Sequence, residues 1–257
     1  MNSLSRRRIS ATIAEARRSY VSLTCLALLV SGCAAPRAAE RRGAEPLLRV
    51  GLSVDAEDAL IRGQGGVDVS GADPFHLAPG EEVRVVASPG GLRVGGRDTH
   101  SQRIGFTSSD LDDHLVVNGR EYRGSVEVLC DGASLTVVNV VATDAYLRGV
   151  VGAEMGKRQR NETAALEAQA IASRTYALKN RGRFRSSGFD LRAGVLDQAY
   201  LGVERETDLG SEAVRRTAGL VVTYRGDLIS AFFHSTCGYS TASPEEVFRT
   251  VRAVPYL

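Results

Sequence analysis

The chain has 257 residues, 43% of them hydrophobic, and a formal net charge of +2. That is long and apolar enough to bury a core, which excludes a wholly disordered chain. Residues 1–32 carry five arginines (Arg6, Arg7, Arg8, Arg17, Arg18) against Glu15, a surplus of +4, so the remainder is about −2 and is not a nucleic-acid binder driven by phosphate neutralisation.

The N-terminus reads as an address. An arginine-rich stretch precedes the apolar run Val21–Val30, which is too short to span a bilayer, and Ser31-Gly32-Cys33 follows. That order of charged, apolar and small residues is a secretory signal over residues 1–32. Val30-Ser31-Gly32-Cys33 resembles a bacterial lipobox, which implies lipid on Cys33; the other reading is an ordinary cleaved signal with an incidental cysteine. Residues 33–46 are small, charged and proline-flanked, as in a flexible tether. The expectation is an exported lipoprotein, periplasmic or on the outer face of the cytoplasmic membrane. With Cys25 and Cys33 set aside, Cys130 and Cys237 remain, and an oxidising compartment admits a disulfide without the sequence showing that they meet.

From Leu47 short apolar runs alternate with Gly, Asp, Pro and Asn clusters. Strands are predicted over 48–52, 82–87, 114–117, 125–129 and 135–141. At Thr143 the period changes: Tyr146, Leu147, Val150 and Val151 recur at helical spacing, with Thr143 as N-cap, Asp144 complementing the helix dipole and Gly156 as the stop. A second helix runs from Asn161 or Glu162 to Lys179, and its alanines (164, 168, 172 and 165, 170, 177) suggest close packing on more than one side. A third covers Asp208–Thr217. Leu220–Tyr224 and Leu228–Phe233 then flank the turn Arg225-Gly226-Asp227 as a hairpin. The fold class is α+β, with a β-rich N-terminal half and helices packed on irregular sheets in one domain, 47–257.

Glu154 follows Val150 by four positions and Leu147 by seven, which places it on the apolar stripe of the first helix. A carboxyl there is desolvated and its pKa is raised, the condition for a glutamic acid to donate a proton near neutral pH. Gly149 and Gly152 leave a smooth strip beside it for another backbone or a ligand. The same pattern also admits a frayed helix end in water.

Residues 146–155, Tyr-Leu-Arg-Gly-Val-Val-Gly-Ala-Glu-Met, followed by 162–178, Glu-Thr-Ala-Ala-Leu-Glu-Ala-Gln-Ala-Ile-Ala-Ser-Arg-Thr-Tyr-Ala-Leu, strongly resemble the SpoIID/LytB family. Tyr122-Arg123-Gly124, Asp197-Gln198-Ala199-Tyr200-Leu201-Gly202 and Phe233-His234-Ser235-Thr236-Cys237-Gly238 extend the match through most of 47–257. The resemblance implies a peptidoglycan lytic transglycosylase with Glu154 as its catalytic acid/base, or alternatively a non-catalytic cell-wall binding module that stimulates an amidase. A lytic transglycosylase needs one carboxyl where ordinary glycosidases use two, because the muramic-acid 6-hydroxyl replaces water as nucleophile. Asp197 is the nearest motif-borne second carboxylate. Two features depart from the family: Gly156 stands where relatives usually have proline, and the chain stops at Leu257 where they commonly continue.

Candidate substrate contacts are Arg174, Tyr176, Gln198, His234, Ser235 and Thr236. No cofactor is required, and zinc enters only if His234 and Cys237 ligate it, since two ligands alone do not make a zinc site. The expected partners are glycan strands, a membrane through the lipid and, on the alternative, an amidase. The basic neighbourhood of Lys157, Arg158, Arg160, Arg174, Lys179, Arg181, Arg183 and Arg185 suits either anionic wall polymer or a solvated face.

Overall fold

Val126 and Val128 point inward from a strand whose intervening Glu127 does not, and Val83 and Val85 do the same between exposed Glu82 and Arg84. Repeated along the first half of the domain, this two-residue period builds sheets with one buried face. The computed structural model describes residues 45–110, 113–234, 239–240, 242–247 and 255–256. The strands in chain order are β1 (Leu47–Ala56), β2 (Asp58–Gly63), β3 (Val67–Ser70), β4 (Phe75–Leu77), β5 (Glu82–Ser88) and β6 (Gly91–Val94). They continue with β7 (Arg97–Asp98), β8 (Arg103–Ser108), β9 (Leu115–Val117), β10 (Arg120–Tyr122), β11 (Ser125–Asp131) and β12 (Ser134–Ala142). The second half holds α1 (Thr143–Met155), α2 (Thr163–Lys179), β13 (Leu191–Arg192), α3 (Asp208–Arg216), β14 (Thr223–Tyr224), β15 (Asp227–Leu228) and the single turn α4 (Pro244–Val247).

One sheet has the order β13-β1-β12-β11-β8-β3-β4 and the other β10-β9-β2-β5-β6-β7. Neighbours pair antiparallel except β1 with β13. Val50, Phe106, Val126 and Leu135 from the first sheet and Ile61 and Val85 from the second join one core. That core continues into α1 through Tyr146, Leu147 and Val150, into α2 through Leu166 and Ala170, and into α3 through Ala213 and Val214.

The α+β class and the β-rich first half stand as expected, and each of the five predicted strands is present. The additional short strands β2, β3, β4, β6, β7, β8 and β10 draw their stability from cross-strand partners, which a few residues of local pattern do not signal. Three local expectations are corrected. Ala142, not Thr143, is the N-cap of α1 and offers no side-chain bond; the buried Thr143 hydroxyl instead donates to the Pro46 carbonyl at 2.6 Å. On α2 the alanines do not all pack: Ala164, Ala165 and Ala168 are exposed, while Ala170 and Ala177 are buried, because the neighbours of α2 gather at its C-terminal half. The hairpin over Arg225-Gly226-Asp227 is real but only two residues long on each side. The signal, Cys33 and all of the tether except Glu45 and Pro46 lie outside the described residues.

Candidate active site

β12 is held on both edges, by β1 and by β11, and runs into α1 without a connecting loop. Its residues Val137, Val138 and Asn139 are all fully buried, so both faces of the strand are covered. The direction of α1 is therefore set by the sheet, and Glu154 sits at the far end of that helix. Gly156 ends it with φ 64, a conformation that the ring of a proline forbids, and its N–H closes onto the Gly152 carbonyl at 3.0 Å.

Glu154 is exposed, which corrects the expectation of a desolvated carboxyl. The apolar stripe passes through Leu147 and Val151 to Met155, which packs on the core, and leaves Glu154 beside it. One carboxylate oxygen, Oε1, accepts a hydrogen bond from the main-chain N–H of Ala199 at 2.8 Å. No bond to its second oxygen is present among the described residues.

The segment that supplies this N–H is fastened residue by residue. The Asp197 carboxylate, with a side chain 1% exposed, accepts from the Tyr176 hydroxyl at 2.8 Å, the Arg183 guanidinium at 2.6 Å and the Arg192 N–H at 2.9 Å. Gln198 is fully buried; it accepts from the Tyr146 hydroxyl at 3.1 Å and donates to the Ser173 carbonyl at 3.4 Å. The Tyr200 hydroxyl donates to Asn139 at 2.8 Å, and Asn139 in turn donates to the carbonyls of Arg123 and Ser125. The Tyr200 ring lies 4.7 Å from that of Tyr146 and 5.7 Å from that of Tyr122. Downstream, Arg123 grips both oxygens of Glu206 at 2.7 and 3.0 Å.

The smooth strip on α1 is where this segment lies. A methyl group on Gly152 would overlap the Arg205 carbonyl, and one on Gly149 would come 2.9 Å from the Gly202 carbonyl and 3.1 Å from the Tyr200 ring. Of the two occupants open from sequence, a backbone takes the strip.

Burial shifts the tyrosines in one direction. Burial, then the hydrogen bond to Asp197, pushes the Tyr176 hydroxyl up to about 12. Tyr146 and Tyr200 are raised as well, each chiefly by burial. The Glu206 carboxylate raises Arg123. These groups keep their protons and act as donors that hold the segment in place.

The candidate contacts thus divide. Gln198 and Tyr176 converge on the segment beside Glu154, but as buried fastenings with their polar atoms engaged. Arg174 is 2% exposed and does not reach Glu154: it pairs with Asp144 at 2.8 Å and donates to the carbonyls of Val214 and Leu220, each at 3.2 Å, tying α1, α2 and α3 together. His234 is exposed, while Ser235, Thr236 and Cys237 lie outside the described residues. Cys130 is a free thiol with Sγ 2.6 Å from the Gln102 side-chain oxygen. Among the described residues no three His, Cys, Asp or Glu side chains gather as a metal site, and no helix is long and apolar enough to cross a membrane. In the basic neighbourhood Arg158, Arg174 and Arg183 are paired with Glu162, Asp144 and Asp197. Asn139, Tyr200 and the Ala199 main chain were not among the candidates. Tyr200 had a signal, its place in the 197–202 motif; a main-chain donor has none.

The family model of SpoIID, stage II sporulation protein, matches residues 131–224. An uncharacterized protein of Brachyspira hyodysenteriae is 35% identical over 181 residues, covering 69% of this chain and 46% of its own length. The amidase enhancer of Bacillus subtilis is 30% identical over 195 residues, 74% of this chain and 26% of the enhancer. A Chlamydia muridarum protein is 28% identical over 180 residues, 66% of this chain and 63% of its own. The chain therefore spans less than half of the first two. No solved structure matches it significantly. β12, α1, α2 and the segment that holds Glu154 all fall within residues 131–224, so it is this part of the chain that is similar to the SpoIID family.

Proposed function

We propose that the domain acts on the bacterial cell wall as a lytic transglycosylase, cleaving peptidoglycan glycan strands to 1,6-anhydromuramic ends with Glu154 as the single acid/base. The observation that carries this is the pose of Glu154: a carboxyl at a rigid helix end, fixed through one oxygen by the Ala199 N–H and open at the other. As an acid it protonates the leaving glycosidic oxygen. As the resulting carboxylate it takes the proton of the 6-hydroxyl, which closes on the anomeric carbon. A sugar seated over the exposed carboxyl would displace its water, which the protein alone does not do. His234, with Ser235, Thr236 and Cys237 next to it, is the remaining candidate contact, and no step here needs a metal.

A second reading is stimulation of a cell-wall amidase, favoured by the similarity to the Bacillus subtilis amidase enhancer. Digestion of purified glycan strands, with and without stem peptides, separates the two by the mass of the ends. Anhydro ends support the transglycosylase, and ends carrying a water oxygen indicate a hydrolase. Intact strands together with a stimulated amidase favour the second reading. We further propose export and lipid attachment at Cys33, so labelled fatty acid is expected in the wild-type chain and not in Cys33→Ser; equal labelling of both would remove the anchor.

A further inference from the structure

A cleft of about 700 Å³ opens between the start of β1 and the loop 181–190, and four arginines line it: Arg49, Arg103, Arg181 and Arg185. Two of them are set in a built frame. Glu127 takes the Arg49 guanidinium on both oxygens, at 3.0 and 2.8 Å, and Arg103 on one, at 2.8 Å, so a single carboxylate serves two cations. Asp190, the acidic residue of the lining, accepts the main-chain N–H groups of Arg49 at 2.9 Å and Gly182 at 2.7 Å, and so pins the loop to β1. Arg181 and Arg185 have no ion pair among the described residues. Counting Glu127 and Asp190 against the four arginines leaves two positive charges without a counterpart in one concave site, where low-dielectric walls raise the potential above that of a flat surface.

We propose that this cleft binds a phosphate ester. Guanidinium groups from β8 and the loop line one cleft beside Arg49, whose own nitrogens are held by Glu127 and the Gly188 carbonyl, and a tetrahedral dianion offers acceptors out of one plane to several such forks. A carboxylate offers its acceptors in a single plane. The walls contributed by Leu47 and Phe189 are apolar and suit the carbon part of an ester better than bare inorganic phosphate. Glu154 takes no part in the site, so the proposal stands apart from the glycan chemistry.

Calorimetric titration of the detergent-solubilised full chain tests it, with glycerol phosphate, inorganic phosphate and acetate as probes at matched ionic strength. Glycerol phosphate is expected to bind, inorganic phosphate more weakly, and acetate not at all. The double substitution Arg181→Ala with Arg185→Ala should weaken glycerol phosphate about tenfold or more, the scale of lost charge-assisted bonds. Arg215→Ala, an exposed arginine of α3, should leave it unchanged. Binding to phosphatidylglycerol vesicles but not phosphatidylcholine vesicles, with the same loss in the double variant, assigns the ester to a lipid headgroup. Both target side chains are unpaired, so the fold should survive their removal, and Arg185→Glu alone gives an independent second variant. The proposal is overturned if neither glycerol phosphate nor phosphatidylglycerol binds, if acetate binds as well as the ester, or if the variants bind like the wild type.

Discussion

Glu154 keeps one oxygen bound and one open, which makes Glu154→Gln an informative substitution. The amide oxygen still accepts from Ala199, so the pose is preserved, but no proton can be donated or taken up. Release of anhydro ends is expected to fall about 10²-fold or more, with the melting temperature unchanged. Activity retained in this variant would remove Glu154 from the chemistry. Arg174 illustrates the opposite kind of residue. It looked like a substrate contact because it lies in the matching helical motif, yet its buried guanidinium joins α1 to the end of α3. Residue type and motif membership do not separate these roles; burial does, and burial depends on elements distant in sequence.

The element that matters most is the pair β12–α1 with the segment lying across it. Gly152→Ala would push a methyl group into the Arg205 carbonyl, and a backbone cannot step aside as cheaply as a flexible side chain. A loss of about 1–3 kcal/mol in stability is expected from thermal or denaturant unfolding. Activity should fall as well, because displacement of 202–205 carries Ala199 with it; a variant as stable and active as the wild type would count against the fastening. Helix α1 was legible from its period and glycine stop, and the neighbouring α2 from its alanine content and lack of internal glycine or proline. The strands β6, β7 and β8 were not, since their pairing is decided by partners across the sheet. The exposure of Glu154 also escaped the pattern: helical spacing gives a residue's azimuth but not how far the core extends along the axis.

For the molecule as a whole, the tyrosines that fasten the segment beside Glu154 set an alkaline limit. Tyr176 is raised from about 10 to about 12 by burial and by its bond to Asp197. The folded chain therefore holds this proton more tightly than the unfolded chain does. Its contribution to stability is complete below the unfolded value near 10 and is lost as pH rises through about 12. Melting temperature should accordingly decline across that window, and Tyr176→Phe should flatten the decline; identical profiles would exclude this tyrosine as the cause. On the acid side Glu127 is held below the ordinary carboxylate range, first by its hydrogen bonds to Arg49 and then by the charges of Arg49 and Arg103. Its contribution is present above that range and disappears as pH falls through the lowered value.

The donor that holds Glu154 belongs to the main chain of Ala199, and this has a consequence for inheritance. Every amino acid except proline carries the same N–H, so any substitution at 199 other than proline leaves the donor in place. The heritable information for this one bond is written elsewhere, in Asp197, Gln198, Tyr200, Asn139 and the two glycines of α1 that give the backbone its path. Lineages could exchange the side chain at 199 freely while keeping the same acid, and could lose the acid's support through a change at a strand residue that never touches it.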